Sequence, residues 1–327
     1  MEKICFFNTK SYDRKWFDYY NKNYEIEFYE SRLNKNSAIL ASGSSGIISF
    51  VNDNLDKDTI DVLYDLGIKV IALRCAGYNH VDLNATKDKI KVLNVPSYSP
   101  SSVAEYAIGM FLTLNRKIHK AYTKTRDYNF SLNGMVGFDL KGKTIGIIGT
   151  GKIGEELIDI CKGFKMNVIA YDLYPKKDSD IQYVDLNTLL NTSDIISLHC
   201  PLTEDTKYLI NEENIRKMKK GVYIINTSRG ELIETDSLIS ALKNGFIGGA
   251  CLDVYEGEKD FFYEDKSDLI KRDDKLSALV SMPNVILTSH QAFLTDEALK
   301  NIAKTTIQNL DDFYDRKELK NEVKIKG

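Results

Sequence analysis

Along this chain, short runs of β-branched and aliphatic residues alternate with longer stretches whose apolar positions recur at helical spacing. "KICFFN", "EIEFYE", "GIISFV", "KVIALRC" and "KVLNVP" are such runs in the N-terminal third. "TIGIIG", "NVIAYD", "DIISLHC", "VYIINT", "GGACLDVY" and "NVILTSH" form a second series that begins near Lys143. Near-continuous apolarity suits strands covered on both faces, so the pattern predicts α/β layering with mainly parallel sheets. Helical spacing covers Lys57–Leu66, Lys152–Cys161, Asn211–Met218, Thr235–Lys243 and Thr295–Tyr314. Between the two series, Pro96 and Pro100 interrupt the pattern, and Ser101 or Ser102 can cap the next helix. The segment "VAEYAIGMFLTLNRKIHKAYTKTRDYNF" then reads as one long helix, buried in its first half and charged in its second.

A chain of 327 residues has room for about two domains. Its formal charge of -3 offers no basic face for nucleic acid. The basic run "KIHKAYTKTR" therefore reads as a solvated helix face. The five cysteines show no metal-ligand spacing and sit in apolar runs. They are expected to be buried thiols in a reducing compartment, with no disulfides and no metal site. No stretch suits a signal peptide or a membrane-spanning helix, which predicts a cytoplasmic protein without a membrane partner.

"KTIGIIGTGKIGEEL" carries G-x-G-x-x-G as Gly149, Gly151 and Gly154, leaving an apolar strand and opening a helix. Gly149 permits the tight turn, Gly151 lets a pyrophosphate approach the helix start, and Gly154 allows close helix–strand packing. The next strand ends in Asp172, whose carboxylate can accept bonds from a ribose 2′-hydroxyl and would repel a 2′-phosphate. NAD is therefore the expected cofactor.

In such sheets ligands lie beyond the carboxyl ends of the strands. Those ends deliver His199, Cys200 and Pro201, then Thr227, Ser228 and Arg229, then Asp253 and Glu258, and last His290. Hydride transfer to a carbonyl also needs a proton, which a histidine beside a carboxylate can supply. A guanidinium in the same place can grip a substrate carboxylate, with Gly230 letting the chain turn away beneath it. Position alone leaves other readings open. Arg229 can form a structural salt bridge, and Glu258 lies in "YEGEKDFFYEDK", where several carboxylates must face water. Of the four histidines, His199 can serve to satisfy backbone polar groups, His119 lies in the charged half of the long helix, and His80 follows "CAGYN" on a loop.

"GTGKIG", "NTSRGEL", "LDVYEGEKDFFYEDK" and "SHQAFLT", with "ALRCAGYNHVDL" and "VPSYSPSSVAEYAIGM", give the chain its resemblance. It resembles the NAD-dependent D-2-hydroxyacid dehydrogenases, and within them the bacterial fermentative D-lactate dehydrogenases. The resemblance implies two Rossmann-like parallel-sheet domains with the active site in a cleft between them. One is a discontinuous, flavodoxin-like substrate domain, residues 1–100 and 291–327; the other is the NAD-binding domain, residues 101–290. It implies reversible reduction of pyruvate to D-lactate, with larger branched or aromatic 2-oxo acids as the alternative substrates. It assigns His290 as proton donor, Glu258 as its carboxylate partner and Arg229 as the substrate-binding arginine. Cys75, Ala76 and Gly77 would receive the substrate carboxylate, with Tyr98 and Phe293 lining the pocket. Cofactor contacts would come from Gly149, Gly151, Lys152, Ile153, Gly154, Asp172, Cys200, Pro201, Thr206, Thr227, Ser228 and Asp253. The same likeness implies a homodimer, with a tetramer of two dimers as the larger alternative. Two positions depart from the family pattern. Tyr106 replaces a common histidine, and Leu294 stands where several members have tyrosine, which bears on pocket polarity.

Overall fold

The computed structural model describes residues 1–268 and 273–325. The chain divides into two compact units, Met1–Ser99 with the segment from Leu294 on, and Pro100–Phe293. The first unit opens with strand β1 (Glu2–Phe6), helix α1 (Ser11–Tyr20), and strands β2 (Tyr24–Phe28) and β3 (Gly46–Ser49). Helix α2 (Lys57–Asp65), strand β4 (Val70–Leu73), the one-turn helix α3 (Leu83–Thr86) and strand β5 (Lys91–Leu93) come next. All strand pairs are parallel, in the order β2-β1-β3-β4-β5. This is the doubly wound arrangement of flavodoxin-like sheets. Every residue of β3 and β4 is buried, which is why both read as unbroken apolar runs. Helix α2 starts where Asp56 accepts the Thr59 N–H at 2.9 Å, and it buries Ile60 and Leu63.

Arg74 leaves β4 with its side chain only 1% exposed. Its Nη1 lies 3.1 Å from Asp13 Oδ1, and its guanidinium stacks 3.9 Å from the Phe50 ring centre. Burial pushes the Asp13 carboxyl up, and the guanidinium opposes that shift. The buried ion pair fixes the end of β4, from which the loop Cys75–Gly77 departs.

The second unit begins with helices α4 (Pro100–Asn115) and α5 (Ile118–Arg126). The sequence pattern predicts one continuous helix here. Lys117 adopts the left-handed conformation, φ 53°, and breaks the segment in two. The apolar half is α4, buried along most of its length; α5 buries nothing, as its charge pattern implies. Then come β6 (Thr144–Ile148), α6 (Lys152–Gly163), β7 (Asn167–Tyr171), α7 (Leu186–Thr192), β8 (Ile195–Leu198) and α8 (Glu212–Arg216). Helix α8 is shorter than the expected Asn211–Met218: at its start Asn211 stands outside as the cap, accepting the Asn214 N–H at 3.0 Å, and at its end Lys217 is already the C-cap. β9 (Val222–Asn226), α9 (Thr235–Lys243), β10 (Ile247–Leu252), α10 (Asp274–Ser281) and β11 (Val285–Leu287) complete the unit. Its parallel sheet runs β11-β10-β9-β8-β6-β7, so strand order reverses between β6 and β8. Two apolar clusters pack on the sheet. One joins α4 and α6 through Phe111, Leu157 and Ile158; the other gathers Leu190, Ile224, Leu238 and Tyr255.

Helix α11 (Asp296–Tyr314), capped where Thr295 accepts the Ala298 N–H, returns the chain to the first unit and packs on α1. The resemblance divides the chain at residues 100 and 290, whereas the compact units divide after Ser99 and Phe293. Gln291 and Ala292 stay with the second unit because their N–H groups bond the Asp253 carboxylate at 2.9 and 2.8 Å.

Candidate active site

Because all neighbouring strands of the second unit are parallel, the turns after β6, β8, β9, β10 and β11 share one edge of the sheet. The turn after β6 holds Gly149 and Gly151, and Gly154 lies in the first turn of α6. Gly149 has φ +96°, and a Cβ there would lie 2.6 Å from Cys200 N. A Cβ on Gly154 would meet Gly149 O at 2.1 Å, so helix α6 sits against the turn as only glycine permits. Gly151, by contrast, faces open space. No side chain caps α6, so the amides of Gly151, Lys152 and Ile153 open its positive end toward that space.

Asp172 stands just past β7. Its Oδ2 accepts the Thr150 N–H at 2.6 Å and the Thr150 hydroxyl at 2.9 Å, and its Oδ1 accepts the Tyr174 N–H at 2.8 Å. Burial alone would raise this carboxyl, but these bonds outweigh it and hold it below the ordinary range. An ionised carboxylate is thus fixed beside the glycine turn. Thr227, after β9, carries a hydroxyl that is buried and has no hydrogen-bond partner among the described residues. A buried orphan of this kind calls for a ligand. The open Gly151 turn, the fixed Asp172 and the Thr227 hydroxyl together fit a dinucleotide.

Several expected cofactor residues also shape the loops. The Ser228 hydroxyl donates to Cys200 O at 2.7 Å, tying the ends of β8 and β9 together. Thr206 is buried and donates to Pro201 O at 2.7 Å, folding the loop after β8. The His199 imidazole pairs through Nε2 with the Ser197 hydroxyl at 2.7 Å, while its backbone N–H donates to Ile148 O; among the described residues the ring bonds no backbone group, which its position suggested it would. Burial pushes its imidazole down to about 4, so it stays neutral.

The proton-transfer candidates meet. His290 Nδ1 lies 2.8 Å from Glu258 Oε1, and the two side chains are 16% and 19% exposed. The other Glu258 oxygen accepts the Tyr255 N–H at 3.1 Å, which sets the carboxylate in place. His290 itself is in the left-handed region at φ 53°, a strain that must be held from outside. Asp253 holds it. The His290 N–H donates to Asp253 O at 2.7 Å, and the Asp253 carboxylate accepts from the Thr288 hydroxyl, Gln291 N and Ala292 N. Asp253, expected among the cofactor contacts, thus has a carboxylate that is fully buried and engaged with the His290 turn. Tyr263 donates from its hydroxyl to His290 O at 3.1 Å, and Tyr106 accepts from Gln291 Nε2 at 2.8 Å. Phe293 is buried at the end of the turn.

Arg229 comes after β9 in a turn made by Asn226, whose side chain accepts the Ser228 N–H and donates to Arg229 O. Sequence reasoning missed Asn226, although a polar residue inside an apolar run was the signal. Arg229 Nη1 donates to Ser228 O at 2.7 Å; among the described residues no carboxylate pairs with it. The structural-salt-bridge reading has no partner here, and a charged fork is left for an anion. Gly230 is not among the positive-φ glycines; what requires glycine there is the close approach of a neighbouring strand end. A Cβ there would lie 2.1 Å from Tyr255 C and 2.4 Å from Glu256 N, so Gly230 lets the Arg229 turn pack directly on the strand end that leads to Glu258.

Cys75, Ala76, Gly77 and Tyr98 belong to the first unit. In the loop, Cys75 O accepts Val95 N at 3.0 Å, Ala76 O accepts Asn94 Nδ2 at 2.8 Å, and Gly77 O accepts Cys75 Sγ at 3.2 Å. With all three carbonyls engaged, the N–H groups of Ala76 and Gly77 have no acceptor among the described residues. Successive free amides of this kind suit an anion. Tyr98 O accepts from Asn301 Nδ2 at 2.7 Å. His80 lies in a turn, and His119 lies on α5 with Nδ1 near Thr113 O at 3.3 Å. Among the described residues no cluster of His, Cys, Asp and Glu could hold a metal, and no helix is long and apolar enough to cross a membrane.

Residues 108–292 match the family model "D-isomer specific 2-hydroxyacid dehydrogenase, NAD binding domain". The chain is 48% identical over 327 residues to D-lactate dehydrogenase of Escherichia coli strain K12, covering 98% of this chain and 99% of that protein. The apo-structure of the Escherichia coli D-lactate dehydrogenase is similar with a TM-score of 0.90 and 46% identity, covering 98% of this chain and 100% of that one. A structure described as the pyruvate reductase of Chlamydomonas reinhardtii has a TM-score of 0.92 and 42% identity, covering 98% of both chains.

Proposed function

The chain belongs to the D-isomer specific 2-hydroxyacid dehydrogenase family, and from that premise we propose that it interconverts pyruvate and D-lactate with NAD as its cofactor. The observation that carries the reading is the His290–Glu258 pair at 2.8 Å, on the same sheet edge as the open start of α6. Bound NADH supplies the hydride. Glu258 accepts the bond from Nδ1, which fixes the ring and leaves Nε2 to give a proton to the reduced oxygen. In oxidation the neutral ring takes that proton back. Arg229 offers a planar charged fork to a 2-oxo acid. In the first unit, the successive Ala76 and Gly77 amides are a proposed seat for a carboxylate.

Mixing the pure protein with NADH and pyruvate, then assaying the product with D-specific and L-specific enzymes, tests the reading. D-lactate is expected; L-lactate or no turnover refutes it. Pyruvate should also give the highest kcat/KM in a panel with phenylpyruvate and 2-oxoisocaproate.

A second copy of the chain is the proposed partner. Tyr128, Phe130, Leu132 and Val136 lie beyond α5 and are 86%, 68%, 82% and 84% exposed, an apolar arm that pairing would cover. Five buried free thiols favour a reducing compartment, and the cytoplasm is the proposed location.

A further inference from the structure

Behind the Cys75–Gly77 loop, in the first unit, three asparagines form a closed ring. The Asn94 N–H donates to Asn321 O at 3.1 Å, and Asn94 O accepts from Asn309 Nδ2 at 2.8 Å. Asn321 Nδ2 donates to Asn309 Oδ1 at 2.8 Å and closes the ring. Asn309 lies on α11 and is 3% exposed. Asn321 begins a tail that lies along β5, where Val323 N donates to Val92 O at 2.9 Å. The ring uses only the backbone of Asn94. Its side chain is spent on one bond, from Nδ2 to Ala76 O at 2.8 Å.

That bond decides where an amide points. Ala76 C=O and Gly77 N–H belong to one planar trans peptide, in which the two groups point opposite ways. Holding the carbonyl against Asn94 aims the Gly77 N–H away from the ring. Glycine at 77 makes rotation of this peptide easy, so the direction needs an external hold. A reversed peptide would withdraw the N–H and present an oxygen to any bound anion.

We propose that Asn94 is a positioning residue for substrate binding: through Ala76 O it aims the Gly77 amide at the 2-oxo acid carboxylate, with α11 and the C-terminal tail as its anchor. This rests on the reading of the Cys75–Gly77 loop as the carboxylate seat. The role predicts a defect in KM and not in kcat, because the aimed amide acts on a group that does not change in the reaction.

The test measures kcat, pyruvate KM, NADH KM and melting temperature for Asn94→Ala, Asn94→Asp and Gly77→Pro. Asn94→Ala should raise the pyruvate KM about tenfold, the effect of one lost buried hydrogen bond, and leave kcat and the NADH KM within about twofold. Asn94→Asp keeps the shape, loses the donor and sets a negative charge against Ala76 O, so it should raise that KM further. If one of the Asn94 variants does not fold, the other still answers the question. Gly77→Pro deletes the amide itself and should raise the pyruvate KM at least as much. A raised KM for Gly77→Pro with none for the Asn94 variants overturns the role of Asn94 and leaves the carboxylate seat standing. An unchanged pyruvate KM in folded Gly77→Pro overturns both.

Discussion

Replacing Glu258 with glutamine keeps the size of the side chain and removes its charge. In the structure this carboxylate faces two donors at once, His290 Nδ1 at 2.8 Å and the Tyr255 N–H at 3.1 Å. Carboxylate has an acceptor for each; glutamine has one carbonyl oxygen and an NH2 group. Satisfying His290 turns the NH2 toward Tyr255 N–H, and satisfying Tyr255 turns it toward the imidazole. The pair is 16% and 19% exposed, so water screens it little. A charge-assisted bond of this kind contributes about 1.5–3 kcal/mol, which corresponds to a loss of about 10- to 150-fold in kcat. Asp172 and the start of α6 are untouched, so the NADH KM should stay within about twofold. The assay monitors NADH absorbance at saturating pyruvate, with a thermal melt to show that the variant is folded. A folded variant that keeps kcat within about threefold of the parent would show that Glu258 does not support the charged imidazole.

Asp172→Ala should raise the NADH KM about tenfold while saturated turnover persists, because it removes the proposed ribose acceptor; steady-state kinetics in NADH concentration decide it. His199 sets a pH dependence of stability. Its imidazole lies near 4 in the folded chain against an ordinary 6.5. Between those values the unfolded chain takes up a proton that the folded chain refuses, so stability falls as pH drops from about 6.5 to about 4, by up to about 3 kcal/mol. Above that window the term vanishes, and His199→Asn should flatten the fall in denaturant midpoints measured across it. Gly230→Ala places a methyl group 2.1 Å from Tyr255 C. Rigid backbone cannot yield as a side chain can, so a loss of about 3 kcal/mol or more is expected in chemical unfolding, with lowered kcat as the Glu258 segment shifts.

Strands were the most legible part of the fold, because sheets covered on both faces write themselves as apolar runs. β3, β4 and β8 are buried at every position. The break between α4 and α5 was not legible. It depends on the left-handed backbone of Lys117, and lysine carries no local signal for that conformation. Within the site, strand-end positions pointed to Arg229, Glu258 and His290, but their pairing came from a resemblance. Composition around Glu258 gave no means of telling it from Glu256, Asp260 or Glu264. Geometry separates them: Glu258 alone of these has a bond to His290 among the described residues. Supporting residues were harder still. Asn226 showed only as a polar residue inside an apolar run, and Asn94 had no such mark; both bond backbone carbonyls brought close only by the fold.

If His290 exchanges the proton that accompanies hydride transfer, its loss must slow the chemical step itself. The most direct test is the single-turnover rate of His290→Gln with NADH and pyruvate, alongside NADH binding measured by fluorescence. A rate lower by about 10²–10⁴, with NADH affinity within about twofold, is the predicted result. A loss of less than about tenfold, with NADH still bound, would contradict it and move the proton to another group.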